Sequence, residues 1–246
     1  MNIFEKIKLL PSHLNGFLMG DPNRNGEYKF LSKQIKTNQN KSKFILFDVG
    51  ANIGEYTQYA TSINQEIQVH CFEPVKKTFG ELKKNINNDK VVFNNWALSD
   101  TIGTSKIFVY GELFGTNSIN YHPSLASQNN PLEEVINLST LDNYIKINNI
   151  NNINFLKIDT EGHELNVLKG GVEAFNLAKI DVIQFEYNEL WKNTKNKLQD
   201  VFELLEKNYD FYRLTPWGKL RVKKFSQKLE NFPKASNYVA IKKINV

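Results

Sequence analysis

From Phe44 onward the chain alternates two kinds of apolar pattern. Short continuous apolar runs at 44–48, 67–73, 91–95, 153–158 and 180–187 have the length of buried strands. Between them, stretches with an apolar residue every three or four positions, at 54–62, 76–86, 140–147, 163–169 and 195–207, have the period of helices. Strand alternating with helix is what a parallel sheet with right-handed crossovers requires, so a doubly wound α/β sheet is expected. The rhythm breaks between Asp100 and Leu138. Two short strand-like runs, Ser105 to Tyr110 and Gly115 to Asn120, precede a polar stretch with Pro123 and Pro131, which predicts an inserted hairpin and a long loop beside the ligand crevice. The closing segments 209–214, 219–224 and 237–242 lack helices long enough for crossovers and are expected to pair antiparallel at the sheet edge. Ahead of the first strand, Ile3, Ile7 and Leu10 mark one side of an amphipathic helix, and a second helical stretch covers 28–36. Residues 1–43 therefore read as an N-terminal helical segment, a lid or an oligomer contact, and 44–246 as the main domain.

The first strand feeds Asp48-Val49-Gly50-Ala51-Asn52-Ile53-Gly54 and then a helix, the arrangement in which backbone N–H groups and a helix start face a ligand. A dinucleotide turn would read G-x-G-x-x-G; here the glycines read G-x-N-x-G with an acid two residues ahead of them. Gly50 and Gly54 permit close approach of backbone and ligand, and Asn52 tolerates a left-handed turn. A carboxylate at Asp48 repels phosphate, which predicts a ligand carrying a cation near the turn. Glu73 ends the second strand 19 residues after Gly54, the place of an acid that meets ribose hydroxyls. The third strand is followed by Trp96-Ala97-Leu98, positioned for an adenine ring; Trp96 either stacks on the base or belongs to the core. A second dense stretch, Phe155 to Glu164, ends a central strand on Asp159 and adds Glu161 and His163. The next strand ends Gln184-Phe185-Glu186-Tyr187-Asn188. Both ends face the crevice of a doubly wound sheet, although each acid there also suits a helix cap.

Composition narrows the setting. A chain of 246 residues can bury a full core, and 41% hydrophobic and 12% aromatic residues are ordinary for a globular protein. Mean hydropathy is −0.45, and nothing approaches 18 consecutive apolar residues, so no membrane span is expected. The single cysteine, Cys71, excludes an internal disulfide and reads as buried and inert. With no signal-peptide pattern at the N-terminus, a cytoplasmic location is expected. The net charge of +5 permits anionic partners, but the lysines are scattered and form no basic groove.

Six segments, FDVGANIGEYT (47–57), FEP (72–74), ALSD (97–100), LDNY (141–144), LKIDTEGHELNVLKGG (156–171) and QFEYN (184–188), together resemble the FkbM-type family of S-adenosylmethionine-dependent methyltransferases. The resemblance implies the class I methyltransferase fold, a Rossmann-like sheet of seven strands with the last antiparallel. It implies S-adenosylmethionine as cofactor, whose sulfonium and ammonium suit an acid at Asp48. The implied cofactor site comprises Asp48, Gly50, Asn52, Gly54, Tyr56, Thr57, Glu73, Pro74, Ala97, Leu98 and Asp159. Methyl transfer to a hydroxyl also needs a base. His163 or Asp159 is the expected one, with Glu161 and Glu186 completing the catalytic group. Asp159, Glu186 and Asn188 resemble the oxygen ligands by which some class I O-methyltransferases hold a divalent metal.

The acceptor implied by the family is a small molecule, a sugar or sugar nucleotide of surface polysaccharide (capsule or lipopolysaccharide) biosynthesis. Trp191, Trp217, Arg213 and Arg221 are its candidate contacts or ordinary core and surface residues. Nucleic acid is not an expected partner, since no N/D-P-P-Y/F block for a flipped base occurs. A homodimer through the N-terminal helices is plausible. A dehydrogenase is disfavoured by the glycine spacing, and a non-catalytic S-adenosylmethionine-binding module by the retained Asp159, Glu161 and His163.

Overall fold

The computed structural model describes residues 20–38, 43–111, 115–127, 130–230 and 236–244. The helix expected over 2–10 lies outside them. Two helices come first, α1 (Pro22–Asn25) and α2 (Glu27–Thr37). The alternating body then runs β1 (Ile45–Val49), α3 (Glu55–Ile63), β2 (Gln68–Phe72), α4 (Lys76–Asn85) and β3 (Val91–Asn94). After the insertion described below it resumes with α6 (Leu141–Ile147), β7 (Phe155–Ile158), α7 (Glu164–Lys169), α8 (Val172–Asn176) and β8 (Val182–Tyr187). A 3₁₀ turn at Glu189–Asn193 leads to α9 (Leu198–Leu205), β9 (Tyr209–Thr215), β10 (Gly218–Val222), α10 (Gln227–Glu230) and β11 (Ser236–Lys242).

The strand order is β10-β9-β11-β8-β7-β1-β2-β3. The run β3, β2, β1, β7, β8 is parallel throughout, and β11 lies antiparallel to both β8 and β9. Seven strands thus form the expected sheet with its last strand reversed, and β10 is an eighth, added by a hairpin to β9. The closing strands pair antiparallel as expected, but β11 is interior rather than at the edge. It can be so because Tyr238, Val239 and Ala240 are apolar on both faces and fully buried.

Alternation along β1 divides the core. Ile45, Phe47 and Val49 pack with Leu156, Ile158 and Phe185 on one face of the sheet. Leu46 packs on the other face with Cys71 and with Phe30, Leu31 and Ile35 of α2. Asp48 follows Leu46 by two and so points into this second layer. Cys71 is fully buried and its thiol is held far above its usual range by burial, in keeping with an inert residue.

The insertion differs from the expectation. Ala97–Ser99 forms β4, Gly103–Val109 forms β5, and Leu132–Thr140, read from sequence as loop, forms β6, with α5 (Pro123–Ala126) between β5 and β6. These three strands make a separate sheet in the order β4-β6-β5. The expected hairpin between 105–110 and 115–120 reduces to one bridge, Phe108 to Ser118, because β5 takes β6 as its partner over seven residue pairs. The polar look of β6 has a physical cause. Leu132 and Val135 stand exposed and only Ile136 is deeply buried, so its alternation carries little apolar signal.

Candidate active site

The carboxyl ends of β1, β2, β7 and β8 meet at one rim, and the turn after β1 is shaped by what lies against it. Gly50 adopts φ 79°, and a Cβ there would sit 1.8 Å from the Asp159 carbonyl oxygen. The turn is therefore pressed directly onto the end of β7, where Asp159 N–H donates to the Val49 carbonyl at 2.9 Å. Asn52, at φ 46°, turns its N–H to Glu73 Oε2 at 3.1 Å, while Val75 N–H donates to Glu73 Oε1 at 2.9 Å. Glu73 is thus fixed at the mouth with acceptor capacity to spare. Burial raises its carboxyl to about 7.

Two clefts open on this rim. The first is lined by Gly50, Asn52, Glu73 and Pro74, by Ala97, Leu98 and Ile107, and by Asp159, Glu161 and His163. The second is lined by Glu27, Tyr28, Tyr56, Lys157 and Glu186. Gly50, Asn52, Asp159 and Glu161 belong to both, so the clefts join at the end of β7.

Three expected cofactor residues line neither cleft. Asp48 is fully buried, accepts from Thr57 Oγ1 at 2.7 Å and pairs with Lys157 Nζ at 3.5 Å. Thr57 is equally buried, and a Cβ on Gly54 would run into Leu82 and Ile86. The strand alternation that sends Asp48 into the second layer is the reason. Its charge reaches the rim through Lys157, which lies 3.3 Å from Asp159 Oδ2 and 4.8 Å above the Tyr56 ring. Burial alone would lower the Lys157 ammonium, but Asp159, Asp48 and Glu27 outweigh it and hold the group above its ordinary range.

The loop after β7 is held from both sides. Glu164, fully buried, accepts from Thr160 N–H at 2.8 Å and from Gly162 N–H at 3.0 Å, which keeps Glu161 at a left-handed φ of 55°. From the insertion, Ser118 Oγ donates to the Glu161 carbonyl at 2.7 Å and Asn120 Nδ2 to the Gly162 carbonyl at 3.0 Å. Glu161 and Glu186 share one clamp, the Asn188 side-chain amide, at 2.9 and 2.8 Å. Burial and then the charge of Asp159 push both carboxyls well above their usual range. His163 stands elsewhere. Its Nε2 lies 2.9 Å from Ser99 Oγ beside Ala97 and Leu98, and burial lowers its ring to about 4. It lines the first cleft only.

One oxygen from each of Asp159, Glu161 and Glu186 falls within 4.8 Å of the others, a donor set that fits a hard divalent cation. Beside this set, Asn188 donates from Nδ2 to Glu161 and Glu186, and its Oδ1 accepts from Leu190 N–H at 3.0 Å, capping the 3₁₀ turn.

Lys157 and Glu27 were not among the expected site residues. Lys157 had a signal, a charge inside the apolar strand Phe155-Leu156-Lys157-Ile158 that burial obliges to find partners. Glu27 had none, since apart from its neighbour Asn25 its partners Gln184 (2.7 Å) and Asn237 (2.8 Å) are 157 and 210 residues away. Trp191 and Arg213 are buried in the body, at 1% exposure each, and Trp96 packs against the core. Trp217 is exposed, and Arg221 pairs with Asp210 at 3.0 Å.

Known proteins place this geometry. The model of the methyltransferase FkbM domain matches residues 48–212. The chain is 28% identical over 146 residues to the hexuronic acid methyltransferase AglP of Haloferax volcanii, covering 57% of this chain and 55% of that one. It is 27% identical over 180 residues to the 31-O-demethyl-FK506 methyltransferase FkbM of Streptomyces tacrolimicus, covering 65% of this chain and 66% of that one. The chain thus spans between about half and two thirds of the length of these relatives. Among solved structures, the METTL16 MTase domain shares the fold with a TM-score of 0.51 at 12% identity, over 95% of this chain and 70% of that one. A turn pressed on β7, an acid at the end of β2 and the matched segment 48–212 together place the chain in the methyltransferase FkbM domain family.

Proposed function

We propose that the protein transfers a methyl group from S-adenosylmethionine to a hydroxyl of a sugar or sugar nucleotide in surface polysaccharide biosynthesis. The observation that carries this reading is the pair of joined clefts, one suited to a nucleoside and one lined by carboxyls. S-adenosylmethionine supplies the methyl group. Glu73 would hold its ribose hydroxyls, and Ala97, Leu98 and Ile107 offer an apolar slot for the base. The acidic rim of Asp159 and Glu161, where the clefts join, suits a positively charged centre. The hydroxyl acceptor belongs in the second cleft, and the sugar class draws support from the name of the Haloferax volcanii relative.

Proton removal falls to Glu161 and Glu186 in this reading. The two carboxyls are half-buried, held close by one amide and pushed well above their usual range by desolvation and then by the charge of Asp159, so the pair favours taking up a proton. His163 is a poor base here, being remote from the second cleft and lowered to about 4. The test is incubation with S-adenosylmethionine and a panel of sugars, nucleotide-linked sugars and RNA, with S-adenosylhomocysteine as readout. Turnover with hydroxylated sugars supports the reading, and turnover confined to RNA overturns it.

The three-carboxylate set favours a second reading of the same centre, in which Asp159, Glu161 and Glu186 hold a divalent metal that lowers the pKa of the acceptor hydroxyl. Exhaustive chelation separates the two: full activity afterwards leaves the carboxyls acting alone.

A further inference from the structure

Lysines that are scattered along the sequence are gathered by the fold on one outer face. Phe30, Leu31 and Ile35 bury one side of α2, and Lys29, Lys33 and Lys36, at helical positions i, i+4 and i+7, stand exposed together on the opposite side. A fourth lysine joins them from β10. Lys219 is exposed with its ammonium 4.0 Å above the Tyr212 ring, and burial and then the nearby charge of Lys33 hold that ammonium below its ordinary range. The acids on the flanking elements are engaged elsewhere: Asp21 pairs with Arg24 at 3.2 Å, Asp210 pairs with Arg221 at 3.0 Å, and Glu55 lines the second cleft. The four lysines therefore present uncompensated charge outward.

Next to them stands an exposed tryptophan. Trp96 and Trp191 pack in the core, whereas Trp217 is 60% exposed at the tip of the β9–β10 hairpin. The tip is held firmly and shares one body with α2. Thr215 Oγ1 donates to the Gly218 carbonyl at 2.7 Å, and Gly26, between α1 and α2, packs directly on the Thr215 carbonyl. An amphipathic ring beside lysines is the combination that suits a lipid headgroup layer, where the ring sits at the boundary and the ammonium groups meet phosphate. The shape argues the same way. Lys29 to Lys36 spans about 10 Å along a convex helix. A single phosphate calls for donors that converge, and a strand of nucleic acid for a charged groove; a convex row with a projecting ring matches an extended anionic surface instead. We propose that Lys29, Lys33, Lys36, Lys219 and Trp217 form a docking face for a bilayer containing anionic lipid, which makes the protein a peripheral membrane protein. This inference is independent of which acceptor is methylated.

The test is sedimentation of the full chain with vesicles of equal parts phosphatidylcholine and phosphatidylglycerol, and with vesicles of phosphatidylcholine alone. Binding is expected to the first and not to the second. It should fade as salt rises from about 0.05 to about 0.5 M, which shortens the reach of each charge about threefold. Lys33→Glu with Lys219→Glu is expected to lower the partition coefficient by about tenfold or more. Trp217→Ser should also lower it, and should abolish the blue shift of tryptophan emission on vesicle binding, since Trp96 and Trp191 are already packed in the core. None of these residues lines either cleft, so the thermal transition of each variant should stay near its native position, which separates a lost surface from a lost fold. Equal sedimentation with both vesicles, none with the anionic ones at low salt, or a partition that either variant leaves unchanged overturns the proposal. Retention of single-stranded RNA by the same lysines without binding to vesicles overturns it as well.

Discussion

At the scale of single residues, two contacts at the rim admit no substitute. A Cβ on Gly50 would collide with the Asp159 carbonyl, and backbone on both sides leaves nothing flexible to yield. Gly50→Ala is expected to cost about 3 kcal/mol or more and to abolish cofactor binding, seen as a lowered Tm with no shift on adding S-adenosylhomocysteine. Lys157 is the counter-ion of a fully buried carboxylate. Lys157→Met leaves Asp48 without its counter-ion, at a cost of about 3–5 kcal/mol, whereas Lys157→Met with Asp48→Asn recovers much of it in denaturant titrations. At the acceptor end, Glu186→Gln is expected to lower kcat by about 10²- to 10⁴-fold while the dissociation constant of S-adenosylhomocysteine stays within threefold or so. An unchanged kcat would remove Glu186 from proton transfer. Much of this was legible in the sequence: Gly50, Asn52, Glu73, Asp159, Glu161 and Glu186 all reach the rim. What misled was direction. Sequence position put Asp48 beside the turn, but strand alternation buried it in the second layer, where it lines neither cleft and pairs with Lys157.

At the scale of elements, the strand and helix alternation from β1 to β8 was readable because both faces of a parallel sheet are covered, which writes continuous apolar runs. The insertion was not, because β5 and β6 pair with each other, leave much of one side exposed, and carry charges such as Lys106 and Glu133, 2.6 Å apart. Its function is equally invisible in local sequence. Ser118 and Asn120 reach across to the backbone of Glu161 and Gly162 and so act on a loop more than 40 residues away. Ser118→Ala with Asn120→Ala is expected to leave the thermal transition near its native position and to raise KM for the acceptor severalfold. A change in Tm alone, with KM intact, would reduce the insertion to packing.

At the scale of the molecule, buried titratable groups give the apoprotein a pH dependence with a definite sign. Glu27, Glu73 and Glu164 are raised to about 7 by burial, and Glu161 and Glu186 well above their usual range. Native protein holds these protons after the unfolded chain has released them near 4.5, so this stability declines as pH rises through about 7. His70 and His163, lowered to about 4 by burial, work the other way: unfolded chain takes up their protons below 6.5, so stability is lost as pH falls through that window. The two sets oppose each other from about 4.5 to 6.5, and above 6.5 only the glutamates remain. The Tm of the apoprotein is therefore expected to fall by several degrees between pH 6.5 and 8, and Glu186→Gln to flatten the slope. A Tm that rises over that interval would show these carboxyls ionised in the native state.

The interior place of β11 sets an order of assembly. Its residues are made after β8, β9 and β10, yet it must lie between β8 and β9, so a nascent chain that has reached β10 holds a sheet with a gap beside β8. That chain also lacks Asn237 of β11, a partner of Gln184 and of Glu27, which lines the second cleft. Ribosome-bound chains halted before residue 236 should therefore be more open to proteases than the full chain, because β8 and β9 lack the strand that joins them.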